Sequence, residues 1–445
     1  MSRIARVLRR RVHRLLPARD PQIDVTCAPA IEAPEEVITS LERLDEKLAE
    51  ISAAWAVSDD AVRSVFGTFR MEFDSTSQHD PWSAQYREEQ FDLYRRVSSR
   101  PDYVTASEVS GFPVDPRRPF PYYTESPSTV GDQLLAIGFM IKTMALPSGS
   151  TILEFGPGWG NTTIALSRMG YNVTAVDIDP TFVDLIAERA QLLGLELDAR
   201  VGEFLDPLEG DRRYDAVLFY ECFHHCSDHV ALLRRLHSLV NDGGSVILAS
   251  EPILESFHAP WGLRLDGESL WAIRQNGWLE LGFTESYFIE TCMREGWSVT
   301  RSSSDVSALT TVFLLTQLGQ SIKPGAIRLP PTDEASWAIP DSPPTDQRYT
   351  SERSRLVCPV GKSWTSVQIT VRNPAPHPLP CTVRHGADIR HIVIPGGAET
   401  TLESPYSPDA GEMILETEIW RPSDAIKGSG DSRLLGLAVM DVTFW

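Results

Sequence analysis

A chain of 445 residues has room for two or three domains, and its 42% apolar content is ordinary for a protein with real cores. A formal net charge of −20 argues against nucleic acid as the main partner, because phosphate binding calls for a basic surface. The six cysteines, Cys27, Cys222, Cys226, Cys292, Cys358 and Cys381, form no C-x-x-C pair, which fits a reducing compartment and excludes a disulfide framework or zinc signature.

Residues 1–19 depart from the acidic average. They contain no acid and seven arginines: Arg3, Arg6, Arg9, Arg10, Arg11, Arg14 and Arg19. Ile4, Val7, Leu8, Val12, Leu15 and Leu16 fall at helical spacing, so this arm reads as a basic amphipathic helix able to lie on an anionic membrane surface. No apolar run in the chain reaches spanning length. Asp20 to Pro34 read as a linker, and residues 35–119 as a helical region interrupted by prolines. Within it, Glu35 to Trp55 and Ser83 to Val97 are expected helices. Leu41, Leu44, Leu48 and Ile51 repeat at 3-4-3 spacing, a seam that either packs on its own domain or joins a homo-oligomer.

From residue 120 the pattern becomes alternating. The aromatic turn Phe120 to Pro127 leads into a helix over Val130 to Met144. Expected strands cover Thr151 to Phe155, Asn172 to Val176, Ala199 to Val201, Ala216 to Tyr220 and Ser245 to Ser250. Helices fall between them at Thr181 to Leu195 and His229 to Val240. This β-α-β-α order implies a Rossmann-like α/β domain over 120–320, with a doubly wound, mostly parallel sheet. Proline-rich residues 321–350 read as a linker. Residues 351–445 hold short alternating runs with Gly/Pro turns, which predict an antiparallel β-sandwich.

In open parallel sheets, ligands bind outside the carboxyl ends of the strands. Glu154-Phe155-Gly156-Pro157-Gly158-Trp159-Gly160 follows the first strand, where a glycine turn into a helix exposes backbone N–H groups. The spacing is not the dinucleotide fingerprint G-x-G-x-x-G, and it lacks the lysine of a phosphate loop. An acid ahead of the glycines suits a cationic ligand with hydroxyls. Asp177-Ile178 ends the second strand, where an acid can hold a ribose diol. Gly202-Glu203-Phe204 follows the third, and Glu221 with Cys222-Phe223-His224-His225-Cys226 the fourth.

The segment from about Tyr122 to Val299 resembles the class I S-adenosylmethionine-dependent methyltransferases. Their first motif is similar to Glu154–Gly160, their second to Val176–Asp179, their third to Gly202–Phe204 and their fourth to Tyr214–Tyr220. The fifth-strand motif resembles Leu239–Ile247. The resemblance implies a seven-stranded sheet and S-adenosylmethionine as cofactor. It also implies a cofactor site of Glu154, Phe155, Gly156, Pro157, Gly158, Gly160, Asp177, Ile178, Glu203, Phe204 and Glu221. Methyl transfer to oxygen is helped by a base, and His224 and His225 are the candidates; a histidine here can equally just shape the loop. No metal is expected.

The acceptor is read from Trp261, Trp271 and Trp278, interleaved with Arg264, Asp266, Glu268, Arg274 and Glu280. Aromatic faces flanked by charged groups suit sugars; the same residues also serve as core. A C-terminal run around Trp420 to Val439 resembles part of bacterial surface-polysaccharide enzymes. Arginine outnumbers lysine, a bias associated with GC-rich bacterial genomes. The expectation is therefore a cytoplasmic bacterial methyltransferase, peripheral at the inner membrane, acting on a sugar hydroxyl of a glycan precursor. The alternatives are a methyltransferase for another small molecule or lipid, and a non-catalytic glycan-binding or assembly protein. An oxidoreductase is disfavoured by the glycine spacing.

Overall fold

The computed structural model describes residues 36–73, 77–109, 111, 114–206, 212–317, 321–322, 348–350, 353–357, 365–407, 410, 412–427, 429 and 435–444. The basic arm, Cys27, Cys358 and most of the expected 321–350 linker lie outside these residues.

The described residues begin with a strand where a helix was expected. β1 (Glu36–Ile38) pairs in parallel with β2 (Phe69–Met71). Between them run α1 (Leu41–Trp55) and α2 (Asp59–Phe66). Ser40 and Ser58 start these helices by accepting N–H bonds from Arg43 and Ala61, satisfying donors that a first turn leaves open. Leu44 and Ile51 are fully buried within the chain, and Leu41 and Leu48 pack against the same core. The heptad-like seam is thus covered by its own molecule. α3 (Ala84–Ser98) follows, capped by Ser83.

The central sheet is built from β3 (Thr151–Phe155), β4 (Asn172–Asp177), β5 (Asp198–Val201), β6 (Tyr214–Tyr220) and β7 (Val240–Ala249). α4 (Pro127–Met144) precedes them. α5 (Asn161–Arg168), α6 (Pro180–Leu193) and α7 (His229–Leu239) connect them. β8 (Trp261–Leu263) and β9 (Leu281–Phe283) pair as a small antiparallel ribbon, with α8 (Gly267–Trp271) between them. α9 (Glu285–Arg294) leads to β10 (Trp297–Ser303) and β11 (Thr311–Gln317).

The sheet order is β10-β11-β7-β6-β3-β4-β5, seven strands in all. From β5 to β7 every junction is parallel; the β7–β11 and β11–β10 junctions are antiparallel. β6 is buried along most of its length, as expected for a strand covered on both faces. The order reverses between β3 and β6, and that switch point opens the crevice for a ligand.

The N-terminal helices fold onto the segment inserted after β7. Met71 donates its N–H to the Leu265 carbonyl at 2.8 Å. Tyr86 Oη donates to the Trp261 carbonyl at 2.7 Å, and Tyr94 Oη to the Gly277 carbonyl at 2.6 Å. Arg274 pairs with Asp45. Residues that read in sequence as a separate helical region therefore form one cap with residues 252–283.

Among the described residues, the strands of the last third pair antiparallel. One sheet orders β12 (Ser321–Ile322), β20 (Ala438–Phe444), β15 (Ser366–Arg372) and β18 (Glu399–Pro405), with β13 (Arg348–Tyr349) also on β20. The other orders β14 (Arg353–Val357), β19 (Glu412–Thr417), β16 (Leu379–His385) and β17 (Asp388–Ile394). Alternate residues of β15, β16 and β19 are buried, the period-two pattern of strands with one face on a core.

Candidate active site

A cavity of about 280 Å³ opens at the carboxyl ends of β3, β4 and β6. Gly156, Gly158, Asp177, Ile178, Glu203, Phe204 and Glu221 line it, all expected from the sequence. His225, Tyr103, Thr105, Glu108 and Trp278 close its other side. Trp159 and Phe182 also line it. Their rings are 5.1 Å apart, and neither was expected.

The glycine turn divides its work. Gly158 has φ +51° and open space where a Cβ would stand; Gly160 has φ +71° and a Cβ there would lie 2.5 Å from Ile186 Cγ1. The first gives a ligand room, while the second lets α5 and α6 pack closely. Asp177 Oδ2 accepts the Gly158 N–H and Oδ1 the Asp179 N–H, each at 2.9 Å. A carboxylate has about four acceptor positions, so each oxygen keeps capacity for a ribose hydroxyl. Burial, opposed by these N–H bonds, raises its proton affinity.

Five expected site residues stand away from the cavity lining. Glu154 is fully buried, and Thr162 and Thr163 donate their hydroxyls to its two oxygens, the latter at 2.6 Å. Its carboxyl ties β3 to the first turn of α5, and burial lifts its pKa to about 7. Phe155 lies behind the wall, stacked on Phe219 at 5.4 Å. Pro157 and Gly160 shape the turn, the Pro157 carbonyl accepting the Gly160 N–H at 2.8 Å. His224 is the fifth.

The two histidines have opposite surroundings. Glu251 collects the N–H groups of Cys222, Phe223 and His224 at 2.9, 2.8 and 3.2 Å. It also accepts His224 Nδ1–H at 2.8 Å. His224 Nε2 faces Glu280 Oε2 at 3.5 Å. Burial pushes His224 toward neutrality, but the two carboxylates prevail and raise its pKa to about 10. A ring already protonated and paired on both nitrogens does not suit proton acceptance.

His225 is held neutral. Burial first, and then the charge of His224, lower its pKa to about 4. Its Nδ1 faces the Leu279 carbonyl at 3.0 Å. A carbonyl can only accept, so Nδ1 carries the hydrogen and Nε2 has the free lone pair. Tyr103, Glu108, Glu251 and Glu280 also surround this pair, and sequence reading singled out only the last, as part of an acceptor surface.

His224, His225 and Glu280 bring donor atoms within 4.8 Å of one another. Such a set can hold a metal ion, but Arg264 lies 3.4 Å from Glu280 and its charge opposes a further cation. His229 belongs elsewhere, its Nε2 2.9 Å from Tyr287 Oη. Of the three tryptophans expected to face the acceptor, only Trp278 lines the cavity. Trp261 is buried and donates to the Pro81 carbonyl at 2.8 Å. Trp271 packs on Trp55 and Phe66.

The family described as "Methyltransferase domain" matches residues 152–244. Such a domain takes its methyl group from S-adenosylmethionine. Asp177, Ile178, Phe204 and Glu221 all line the cavity. The matched stretch carries β3 to β7; the cap lies outside it.

The chain is similar to a ubiquinone biosynthesis O-methyltransferase of Xanthomonas axonopodis pv. citri, 31% identical over 105 residues, 23% of this chain and 44% of the relative. It is also similar to one of Xylella fastidiosa (strain M23), 26% identical over 177 residues, 39% of this chain and 63% of the relative. The chain thus spans about half the length of the curated relatives it matches. Among solved structures, a SAM-dependent methyltransferase from Aquifex aeolicus aligns over 46% of this chain and 97% of its own, at 18% identity and TM-score 0.33. The Burkholderia thailandensis 1,6-didemethyltoxoflavin-N1-methyltransferase aligns over 44% and 84%, at 22% identity and TM-score 0.31.

Proposed function

We propose that the chain transfers a methyl group from S-adenosylmethionine to an acceptor hydroxyl, with His225 as the general base. One observation carries this reading: a neutral imidazole with a free Nε2 shares a cavity with the glycine turn and Asp177. The bound donor supplies a methyl group already activated by its sulfonium, which leaves positioning and proton removal to the protein. Asp177 and the Gly158 turn fix the nucleoside. Glu221 offsets the positive end; Gln133 Nε2 donates to its carboxylate at 2.9 Å. His225 Nε2 takes the hydroxyl proton while the cap excludes water.

The relatives named as O-methyltransferases support oxygen as the acceptor atom. The carrier of that oxygen is the finer proposal. A sugar is supported by Trp278, whose ring can stack on a pyranose face, and draws no support from Trp261 or Trp271. Polysaccharide biosynthesis has no counterpart among the named relatives, so a phenolic or other small-molecule hydroxyl stands beside it.

Calorimetry with S-adenosylhomocysteine tests the cofactor half. The wild-type chain binds, and Asp177→Ala weakens binding at least about 10-fold by removing charge-assisted bonds. Unchanged affinity in the variant sinks the assignment. Labelled donor, offered with sugar nucleotides, lipid-linked sugars and catechols, tests the other half. His225→Gln lowers kcat by about 10²–10⁴-fold with cofactor affinity kept. Wild-type turnover in this variant removes His225 as the base.

A further inference from the structure

Glu108 stands on the cavity wall outside residues 152–244. It ends the short turn Thr105–Glu108, close in sequence to its partner Tyr103 and far from Leu279 and His225. Its Oε1 accepts the Leu279 N–H at 2.8 Å, and its Oε2 lies 3.4 Å from His225 Nδ1. Only 11% of the side chain is exposed. Leu279 is also the residue whose carbonyl faces His225 Nδ1. Glu108 and Leu279 therefore brace each other around one ring nitrogen.

We propose that Glu108 is the positioning residue of His225, holding the ring in the tautomer that frees Nε2 and, as a carboxylate, strengthening its hold on the acceptor's proton. This rests on the reading of His225 as the base. The Leu279 carbonyl can only accept, and so can Glu108 once it is a carboxylate, so the hydrogen stays on Nδ1 and Nε2 is the nitrogen that accepts. During transfer the proton passes from the acceptor oxygen to Nε2, and Nδ1 keeps its own. The imidazolium so formed is paired by Glu108 until it returns the proton to solvent.

The groups facing His225 define how it responds to pH. His224 and Cys226 flank it on its own segment, the His224 ring centre 4.2 Å away. Tyr103 and Glu108 face it from the N-terminal cap, and Tyr103 Oη donates to the His225 carbonyl at 3.4 Å. Trp278 and Glu280 approach from the insertion, with Glu251 behind them. His224 is positive and suppresses basicity, while Glu251 and Glu280 counter it. Burial raises Glu108 to about 8, opposed by the Leu279 N–H. Its carboxylate form thus fills as pH rises through about 8, and His225 becomes the better base in the same interval.

Glu108→Gln in the full chain is the test, because the amide oxygen still accepts from Leu279 N–H and the cap stays braced. Turnover is expected to fall about 10-fold or more, with KM for donor and acceptor little changed. The wild-type rise in kcat/KM through about pH 8 should vanish, and Glu108→Asp should restore part of it. In the cofactor-free protein, the His225 ring signals in NMR should shift through the same pH interval in wild type and not in Glu108→Gln. Wild-type kcat, an intact alkaline limb and unchanged ring titration in Glu108→Gln overturn the proposal. If His225→Gln itself turns over normally, the base assignment fails instead, and the two failures are separable.

Discussion

The two halves of the cavity are made in different ways. The cofactor half is local: Asp177 ends a strand, and Gly156, Gly158 and Glu203 follow strand ends, within one run of alternating strands and helices. Its backbone hydrogen bonds and turn conformations fix it. The acceptor half is assembled at long range. Glu108, His225 and Leu279 come from three segments, and the Glu108–Leu279 contact spans 171 positions. Buried charge holds it together: Glu251, His224, Glu280 and Arg264 form a chain of ion pairs. One half can bind a common cofactor with little variation. The other can vary its acceptor by changing cap and insertion without disturbing the sheet.

The ion-pair chain gives the largest expected effect. Glu251→Gln leaves the buried His224 imidazolium without its closest partner and weakens three backbone N–H bonds. Loss of one partner of a buried pair costs about 3–5 kcal/mol, measured by chemical denaturation. The pH dependence has a definite sign. His224 is raised to about 10, so its stabilisation is complete below the unfolded value of about 6.5 and lost as pH climbs toward 10. Glu280 is lowered to about 2, burial opposing and His224 prevailing. Its stabilisation is complete above the usual carboxyl value and lost as pH falls through 2. Both contributions are whole between about 4.5 and 6.5. Wild-type stability should decline from pH 6.5 to 10, and Glu251→Gln should decline less. Parallel curves for the two proteins would show that the acceptor half is not held by this charge chain.

Sequence reading reached the two halves unequally, for physical reasons. Strand periodicity, the glycine turn and acids at strand ends are short-range signals, and they located the cavity and Asp177. They could not show that the Glu154 oxygens bond to Thr162 and Thr163, because an acid before a glycine turn has two uses. Thr162 and Thr163, eight and nine positions on in the first helical turn, were the available sign that its oxygens are taken. Glu108 lies in a four-residue turn with no periodicity, and nothing local points to His225. The tryptophans look alike in sequence, yet Trp261 sits in a fully buried strand while Trp278 follows Gly277, at φ +82°. That glycine turn was the one local hint separating the half-buried Trp278 from the core. The leucine seam of α1 showed correct spacing but could not say which surface would cover it.

The glycine turn sharpens the comparison from the cofactor side, with smaller effects. Gly160→Ala places a Cβ against Ile186 in a left-handed backbone and should cost roughly 2–4 kcal/mol, read as a lower Tm. Gly158→Ala has the same backbone strain without the clash, so its stability loss should be about 1–2 kcal/mol. Its methyl, however, projects into the space left for the ligand. S-adenosylhomocysteine affinity should fall more in Gly158→Ala than in Gly160→Ala, even though Gly160→Ala is the less stable protein. The opposite ranking would mean that ligand room is set at Gly160 and that the turn does not divide its work between packing and binding. Two glycines two residues apart would then be one structural device, and the cofactor half would depend on α6 as much as the acceptor half depends on its cap.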